Sequence, residues 1–351
     1  MKEPELKTVR LRPLLASGPG DVSVGPILAI PAVLTEFGVR PQRAFAQAGV
    51  NPQVFQDPES RMPFEAVGRL FETCVALTGC LHFGLLVGMR FDMKGFGTLG
   101  YLMRNSATVG EAVRSLLLHL HVYDRGAAPV LLTPDPKTSI LGYSIYRHST
   151  QTAAHAQIYD AAIAIGYRIL RELCGPKWKA LRVQFSHSQP SDAARYRELF
   201  RSNVIFDAEV SGIVFAASWL DQKIEGADAT LHGVLAKAIR DAEASGPLTF
   251  TEQVQAVLHQ MLLSGTASAE AVAHLFATHE RTLRRRLSEE GTSLQQLINQ
   301  TRFDLAQQLL QNTGLPVSEI AAALQYADPN AFSRAFGNWA NLSPSQWRAG
   351  R

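Results

Sequence analysis

Cysteine is scarce in this chain: three residues in 351, Cys74, Cys80 and Cys174, an odd set with no CxxC spacing. That excludes a disulfide framework or a thiolate zinc site and fits a reducing cytoplasm. Long apolar runs are missing as well. The most apolar stretches, Val24 to Leu34 and Ser115 to Leu120, are cut by prolines or end in polar residues, well short of the ~18 positions a membrane span needs. The first residues mix Lys2, Glu3, Glu5, Lys7, Arg10 and Arg12 with prolines and hold no secretory apolar segment, so no membrane or export role is expected. A charge imbalance is also absent, because 34 basic residues against 31 acidic ones leave +3. A polyanionic partner must therefore be argued from local pattern.

What is present is material for packed cores: 46% of residues are hydrophobic and 19% charged, which excludes a disordered chain. The length suggests at least two domains at about 100 to 200 residues each. Residues 1–24 read as a flexible arm, with Pro4, Pro13, Gly18, Pro19 and Gly20 discouraging regular structure. From Ile27 the pattern turns helical, and Phe64, Val67, Leu70, Phe71, Cys74 and Leu77 fall at the three- and four-residue steps of a buried helix face. Thr108 and Glu111 have capping-box spacing at the start of a helix through Leu120.

Strand signals follow at Val130 to Thr133 and Ser139 to Arg147, split by Pro134, Asp135 and Pro136, which predicts a hairpin. A helix over 151–173 leads to a strand at Leu181 to Ser186, a helix at Ser191 to Phe200, and short strands near 204–206 and 212–215. Residues 25–223 thus form a mixed helix and strand domain. A linker helix and hinge occupy 224–247, with the boundary at Ser245-Gly246-Pro247. Beyond it, every segment of 248–351 reads as helix. The fold class is α+β in front and all-α behind.

The tail carries the chemistry. Lysine disappears after Lys237, so every later fixed cation is an arginine. Ser268 precedes an alanine-rich helix with Val272, Leu275 and Phe276 on its apolar side. After a turn, Leu283 and Leu287 pack inward from a second helix that turns Arg281, Arg284 and Arg285 elsewhere. This is helix-turn-helix grammar: one stripe buried, and forked donors offered to a major groove, where guanidinium can grip guanine or clamp a phosphate.

The grammar recurs about fifty residues on. Val317, Ile320, Ala321 and Leu324 make a short helix, and Asp328-Pro329 open the next as cap and first-turn proline. Phe332, Phe336 and Trp339 form its inner face, leaving Asn330, Ser333 and Arg334 for base edges and phosphates. Between the units, Thr292 and Gln295 in capping-box spacing open a connecting helix over 293–310. At 1.5 Å per residue it spans roughly 27 Å, close to the ~34 Å between major-groove faces on one side of DNA. A triplet such as Arg284-Arg285-Arg286 alone is more often a solvated cationic face. Its place in a tandem pair points to DNA. From Ser268 onward, eight arginines face seven acids, so the basic surface must be focal.

On these residues the chain resembles the arabinose-regulator-like (AraC/XylS) family of bacterial transcription regulators. The resemblance covers 248–351 and rests on Ala273, Arg281-Thr282-Leu283, Ile320-Ala321, Asp328, Phe332, Arg334-Ala335-Phe336 and Leu342-Ser343-Pro344. It departs at Ala277 and Gln325, where turn glycines are common, at His279, where Ser is usual, and at Gly337 and Asn341, which replace a common Lys and Gly. Phe185-Ser186-His187, Pro190, Tyr196, Phe200 and Val214-Phe215 resemble the amino-terminal, arabinose-binding-domain-like region of a branch that includes amino-acid catabolism regulators. The resemblance implies sequence-specific binding to double-stranded promoter DNA, activation through RNA polymerase, a homodimer, and a small-molecule effector of unstated identity.

Catalysis is not expected. No P-loop, nucleophile elbow, paired carboxylates or metal spacing appears, so neither cofactor nor metal is called for. His119 and His121 lie two apart on a helix and cannot share a metal. His187 between Ser186 and Ser188 reads as structural, and Cys74 and Cys80 as small buried apolar residues. The competing class, an enzyme or protein-partner sensor fused to a DNA-binding tail, rests only on the size of the front domain.

Overall fold

The computed structural model describes residues 21–145, 152–245, 249–263, 267–276, 278–312 and 315–349. The front domain opens with strand β1, Asp21–Ser23, which pairs antiparallel with β2, Arg61–Pro63. This corrects the arm expected over 1–24: Val22, Ser23 and Val24 are all buried, so the chain already joins the core from the strand that starts at Asp21. Residues 1–20 lie outside the described residues.

Between the two strands run helices α1 (Ile30–Glu36) and α2 (Pro41–Ala48). Helices α3 (Phe64–Thr78), α4 (Phe83–Met89), α5 (Gly97–Arg104) and α6 (Val109–His119) follow. The α6 start is the expected one: Thr108 Oγ1 accepts the Glu111 N–H at 3.2 Å, while Glu111 Oε2 accepts the Ala107 N–H at 3.0 Å.

The hairpin is β3 (Ala127–Asp135) and β4 (Thr138–Ile145). The long helix α7 (Thr152–Cys174) then leads to β5 (Arg182–Gln184), α8 (Ala193–Phe200), β6 (Val204–Ile205) and β7 (Gly212–Ala216). These strands form one sheet in the order β3-β4-β7-β5-β6, antiparallel throughout except for the parallel β5–β6 pair. Helix α7 serves both lobes of the front core: Ile158 and Tyr159 pack with the α1–α3 lobe, Ile169 and Leu170 with the α5–α6 and sheet lobe.

Helix α9, Ala229–Ser245, is no free-standing linker. Leu235 and Ile239 are buried in the front core, so the helix is docked there by an apolar stripe. The expected hinge at Gly246-Pro247 lies outside the described residues. The tail is all helix: α10 (Phe250–Leu263), α11 (Ala269–Leu275), α12 (Glu280–Glu289), α13 (Leu294–Asn312), α14 (Val317–Ala323), α15 (Pro329–Ala340) and α16 (Pro344–Ala349). Among the described residues no single helix is long and apolar enough to cross a membrane.

Candidate nucleic-acid interface

Two separate cores build the tail. In the first, Phe250, Val254 and Leu258 of α10 meet Val272 and Ala273 of α11 and Leu283 and Leu287 of α12. In the second, Ile320 and Ala321 of α14 meet Leu324 and then Phe332 and Phe336 of α15. Helix α13 belongs to both. Leu294 and Leu297 from its first turns complete the first core, and Leu305, Ala306, Leu309 and Leu310 from its far end complete the second. One continuous helix packed into each unit fixes their spacing, because moving one unit against the other would expose a set of leucines. Each buried leucine is worth about 1.5–3 kcal/mol. The start of α13 corrects the expected cap: Ser293, not Thr292, is the capping residue, its Oγ accepting the Gln296 N–H at 3.3 Å. The helix begins at Leu294, so the capping position falls on Ser293 and Thr292 lies one place too early.

The first unit begins at Ser268, whose Oγ accepts the Ala271 N–H at 3.1 Å. In α12, Leu283 and Leu287 are fully buried and Arg281, Arg284 and Arg285 are exposed, as the spacing requires. Two of the three are lightly held. Arg284 donates to Glu280 at 3.0 Å and Arg285 to Glu289 at 3.1 Å, with arginine side chains 73% and 67% exposed. Such exposed i,i+4 pairs contribute about 0.3–0.5 kcal/mol and give way readily to a phosphate or base edge. In the second unit the Asp328 carboxylate accepts the N–H groups of Asn330 and Ala331, both at 2.8 Å. Asn330 and Arg334 are exposed and Ser333 is half-buried beside them, on the face opposite Phe332 and Phe336.

Arg286 lies 3.7 Å over the Phe250 ring, Arg302 5.2 Å over Tyr326, and Arg348 donates to the carbonyls of Leu315 and Leu310. These three hold the tail together. With Arg351 outside the described residues, the tail arginines that make no such ring or carbonyl contact are Arg281, Arg284, Arg285 and Arg334, all exposed.

The departures at the turns are absorbed by backbone geometry. Gln325, with φ of 61°, and Asn341, with φ of 54°, adopt the left-handed conformation that glycine ordinarily supplies. Asn341 sits at the end of α15 in the usual place for such a residue. Ala277 lies outside the described residues, as does the side chain of Leu275. His279 precedes α12 in extended conformation but provides no side-chain cap. Trp339 is half-buried rather than core, packing 5.5 Å from Phe303, and Trp347 closes the same cluster 5.8 Å from Phe336.

Sequence reasoning missed Glu290. Its two carboxylate oxygens accept the Phe250 and Thr251 N–H groups at 2.8 and 2.7 Å, capping α10 from 39 and 40 residues away. No spacing rule reaches that far. Arg286, by contrast, flanks the Leu283/Leu287 stripe, and an arginine stem beside an apolar stripe is the signal that would have found it.

The model of the arabinose-binding domain of AraC transcription regulator, N-term, matches residues 38–224, and a helix-turn-helix domain model matches 272–350. The chain belongs to the AraC family of transcription regulators. It is 26% identical to HTH-type transcriptional regulator VirS of Mycobacterium tuberculosis, over 90% of this chain and 93% of that one. It is 28% identical to the ornithine utilization regulator of Pseudomonas aeruginosa over the same shares. The crystal structure of transcriptional regulator CdpR from Pseudomonas aeruginosa aligns with 88% of this chain and 96% of its own, at 23% identity and a TM-score of 0.44. As an AraC-family regulator the protein binds DNA through its helical tail, and the front domain is of the kind that responds to effectors.

This regulator also contains a cavity of about 100 Å³ within the front domain, between α3, α6, α7 and the sheet. Its walls are almost wholly apolar, among them Phe64, Val67, Leu116, Ile163 and Ile213, and its few polar groups include Asp124 and Tyr143. Tyr143 donates its hydroxyl to Asp124 Oδ2, and Asp124 Oδ1 accepts the N–H groups of Gly126 and Ala127 at 2.8 and 3.2 Å. Burial pushes the Asp124 carboxyl up, only partly offset by these donors. The three cysteines are buried, with Cys74 and Cys174 pushed up to about 12 by burial, which makes them inert packing residues.

Proposed function

We propose that this protein is a cytoplasmic, homodimeric regulator that reads promoter DNA sequence with two helices per chain and activates transcription through RNA polymerase in response to a small molecule. In this reading 25–223 senses the effector, 224–247 connects, and 248–351 reads DNA. Helices α12 and α15 enter successive major grooves on one side of the duplex. Arg281, Arg284 and Arg285 contact the first, and Asn330, Ser333 and Arg334 the second. The observation that carries the reading is the shared helix α13: both cores are built on it, so the spacing of the two units is fixed by packing. The arginines left over by packing are those the reading needs.

With a local net charge of only +1 from Ser268 onward, few phosphates are neutralised. Affinity then depends less on salt than for a strongly basic protein, and base contacts carry a larger share. Binding-site selection with the full chain and random duplex DNA tests this. The expected result is a bipartite motif whose two elements lie about 10–10.5 base pairs apart, one helical turn. A single short element, or no sequence preference, overturns the two-helix reading.

A further inference from the structure

The cavity in the front domain specifies more than the presence of an effector. The geometry points to an apolar molecule carrying one hydrogen-bond donor as the ligand, received by Asp124 and sensed by the DNA-reading tail through Tyr143. This rests on the reading of the front domain as a sensor.

The ligand class follows from the lining. The family description names a sugar, but each hydroxyl of a sugar needs a partner once it leaves water. Ser23 already donates to the Pro58 carbonyl at 2.8 Å and accepts the Gly25 N–H at 3.4 Å, and the Tyr123 hydroxyl accepts the Leu99 N–H at 3.4 Å. The remaining walls are carbon. A polyol would bury most of its hydroxyls against them. A carboxylate ligand fares no better, because no cation lines the cavity and the one acid there is Asp124. Like charges in a low-dielectric site repel strongly. Asp124 does have capacity for one more donor: Oδ1 takes two backbone N–H groups, Oδ2 takes the Tyr143 hydroxyl, and a carboxylate offers about four acceptor positions. A single O–H or N–H on an otherwise apolar body matches that arrangement.

Tyr143 supplies the route outward. It lines the cavity on one side, and on the other it borders a small gap between the domains whose opposite wall is Leu305 and Leu309 of α13. Those two leucines are core residues of the second helix-turn-helix unit. A ligand donor that takes the free acceptor position on Asp124 Oδ2 crowds the Tyr143 hydroxyl bound there and shifts the ring, which borders the gap facing the helix that sets the spacing of both DNA-reading units.

The test uses the full-length protein and three probes: 2-naphthol, which is apolar with one O–H; 2-naphthoate, the same rings with a carboxylate; and L-arabinose. Fluorescence titration and calorimetry should give saturable binding of 2-naphthol about tenfold or more tighter than 2-naphthoate, and none of L-arabinose. Ala162→Phe, which fills the cavity from α7, should abolish 2-naphthol binding. Asp124→Asn should retain binding but erase the preference over 2-naphthoate. On adding 2-naphthol, hydrogen exchange in the segment holding Leu305 and Leu309 should change, and the change should vanish in Tyr143→Ala.

No binding of 2-naphthol, or equal binding of the naphthoate or the sugar, overturns the ligand class. Undiminished binding by folded Ala162→Phe overturns the site. Binding without any change in exchange around Leu305 overturns the Tyr143 route. None of these outcomes touches DNA binding, so a full chain that selects a bipartite motif while failing them separates this inference from the reading above.

Discussion

His187 Nε2 lies 3.0 Å from Asp160 Oδ1, and the same ring places Nδ1 3.0 Å from the Ser188 carbonyl. The Ser188 carbonyl can only accept, so Nδ1 carries a proton, and beside an ionised Asp160 the Nε2 donates as well and the imidazole is the cation. The Asp160 side chain is fully buried and also accepts the Tyr196 hydroxyl at 2.6 Å. The histidine that the sequence placed between two serines is therefore half of a buried ion pair joining α7 to the loop after β5. Burial pulls the His187 pKa down, but the charge and hydrogen bond of Asp160, the Ser188 carbonyl and the charge of Asp207 outweigh it, and the net shift is upward.

A raised histidine pKa gives stability that is complete below the ordinary value of 6.5 and is lost as pH climbs through the folded-state value. Urea midpoints measured from pH 6 upward should therefore fall with rising pH, and His187→Gln should be less stable yet flatter across that window. Asp160→Asn strands the cation and should cost about 3–5 kcal/mol. Parallel pH profiles for wild type and His187→Gln would refute the charged-pair assignment.

Helix α4 lies against α7 closely enough that two of its residues cannot bear a side chain. A Cβ on Gly84 would sit 2.1 Å from the Gln157 carbonyl oxygen, and one on Gly88 would sit 2.3 Å from that of Ala161. Backbone cannot yield as a side-chain tip can. Gly88→Ala should destabilise by about 1–3 kcal/mol or more, as overpacking does. Gly233→Ala, in α9 with nothing within 4 Å, should stabilise by about 0.5–1 kcal/mol. Equal effects of the two alanines in thermal unfolding would show that the close approach is not a constraint.

The contrast between those glycines marks what could be read from the sequence. Periodicity located α3, α6, α7, the β3–β4 hairpin and both helix-turn-helix units, because each buries one stripe at a fixed step and the step is written locally. The exposure of Arg281, Arg284, Arg285 and Arg334 followed from the positions of Leu283, Leu287, Phe332 and Phe336. What stayed hidden depends on partners distant in the chain. The pairing of Asp21–Ser23 with Arg61–Pro63, the Asp160–His187 pair, the cap that Glu290 provides for α10, and the sharing of Tyr143 between two spaces all join segments with no common pattern. Even the start of α13 differs by one residue from the spacing, since Thr292 and Ser293 offer the same chemistry and the helix begins at Leu294.

Glu290 should titrate as a helix cap. Partial burial pushes its carboxyl up, but the Thr251 and Phe250 N–H donors and the nearby Arg286 outweigh that and hold it below the ordinary carboxylate value. The stability it provides is present above the unfolded value of 4.5 and is lost as pH falls through the lower folded one. Because the group is largely exposed, the loss in Glu290→Gln should be modest, about 1 kcal/mol or less. Unfolding midpoints of the two proteins should converge at low pH. A gap that persists unchanged into acid would mean that Glu290 acts through packing and not charge.

The two reading helices sit in different cores, and this separates their contributions to binding. Arg285→Ala and Arg334→Ala should each weaken binding to the selected motif by about 1–3 kcal/mol if each arginine grips a base edge. Sites with no shared partners usually combine additively within about 0.3–0.5 kcal/mol, so the double variant should show the sum. Each change should relax preference at its own end of the motif only. An arginine that contacts phosphate instead would weaken all sequences alike and reduce the salt slope by about one. Fluorescence anisotropy at several salt concentrations, on motif and scrambled duplexes, distinguishes the two roles. Wild-type affinity and selectivity in both single variants would remove these arginines from the interface, and strong non-additivity would mean that α13 does not hold the units apart.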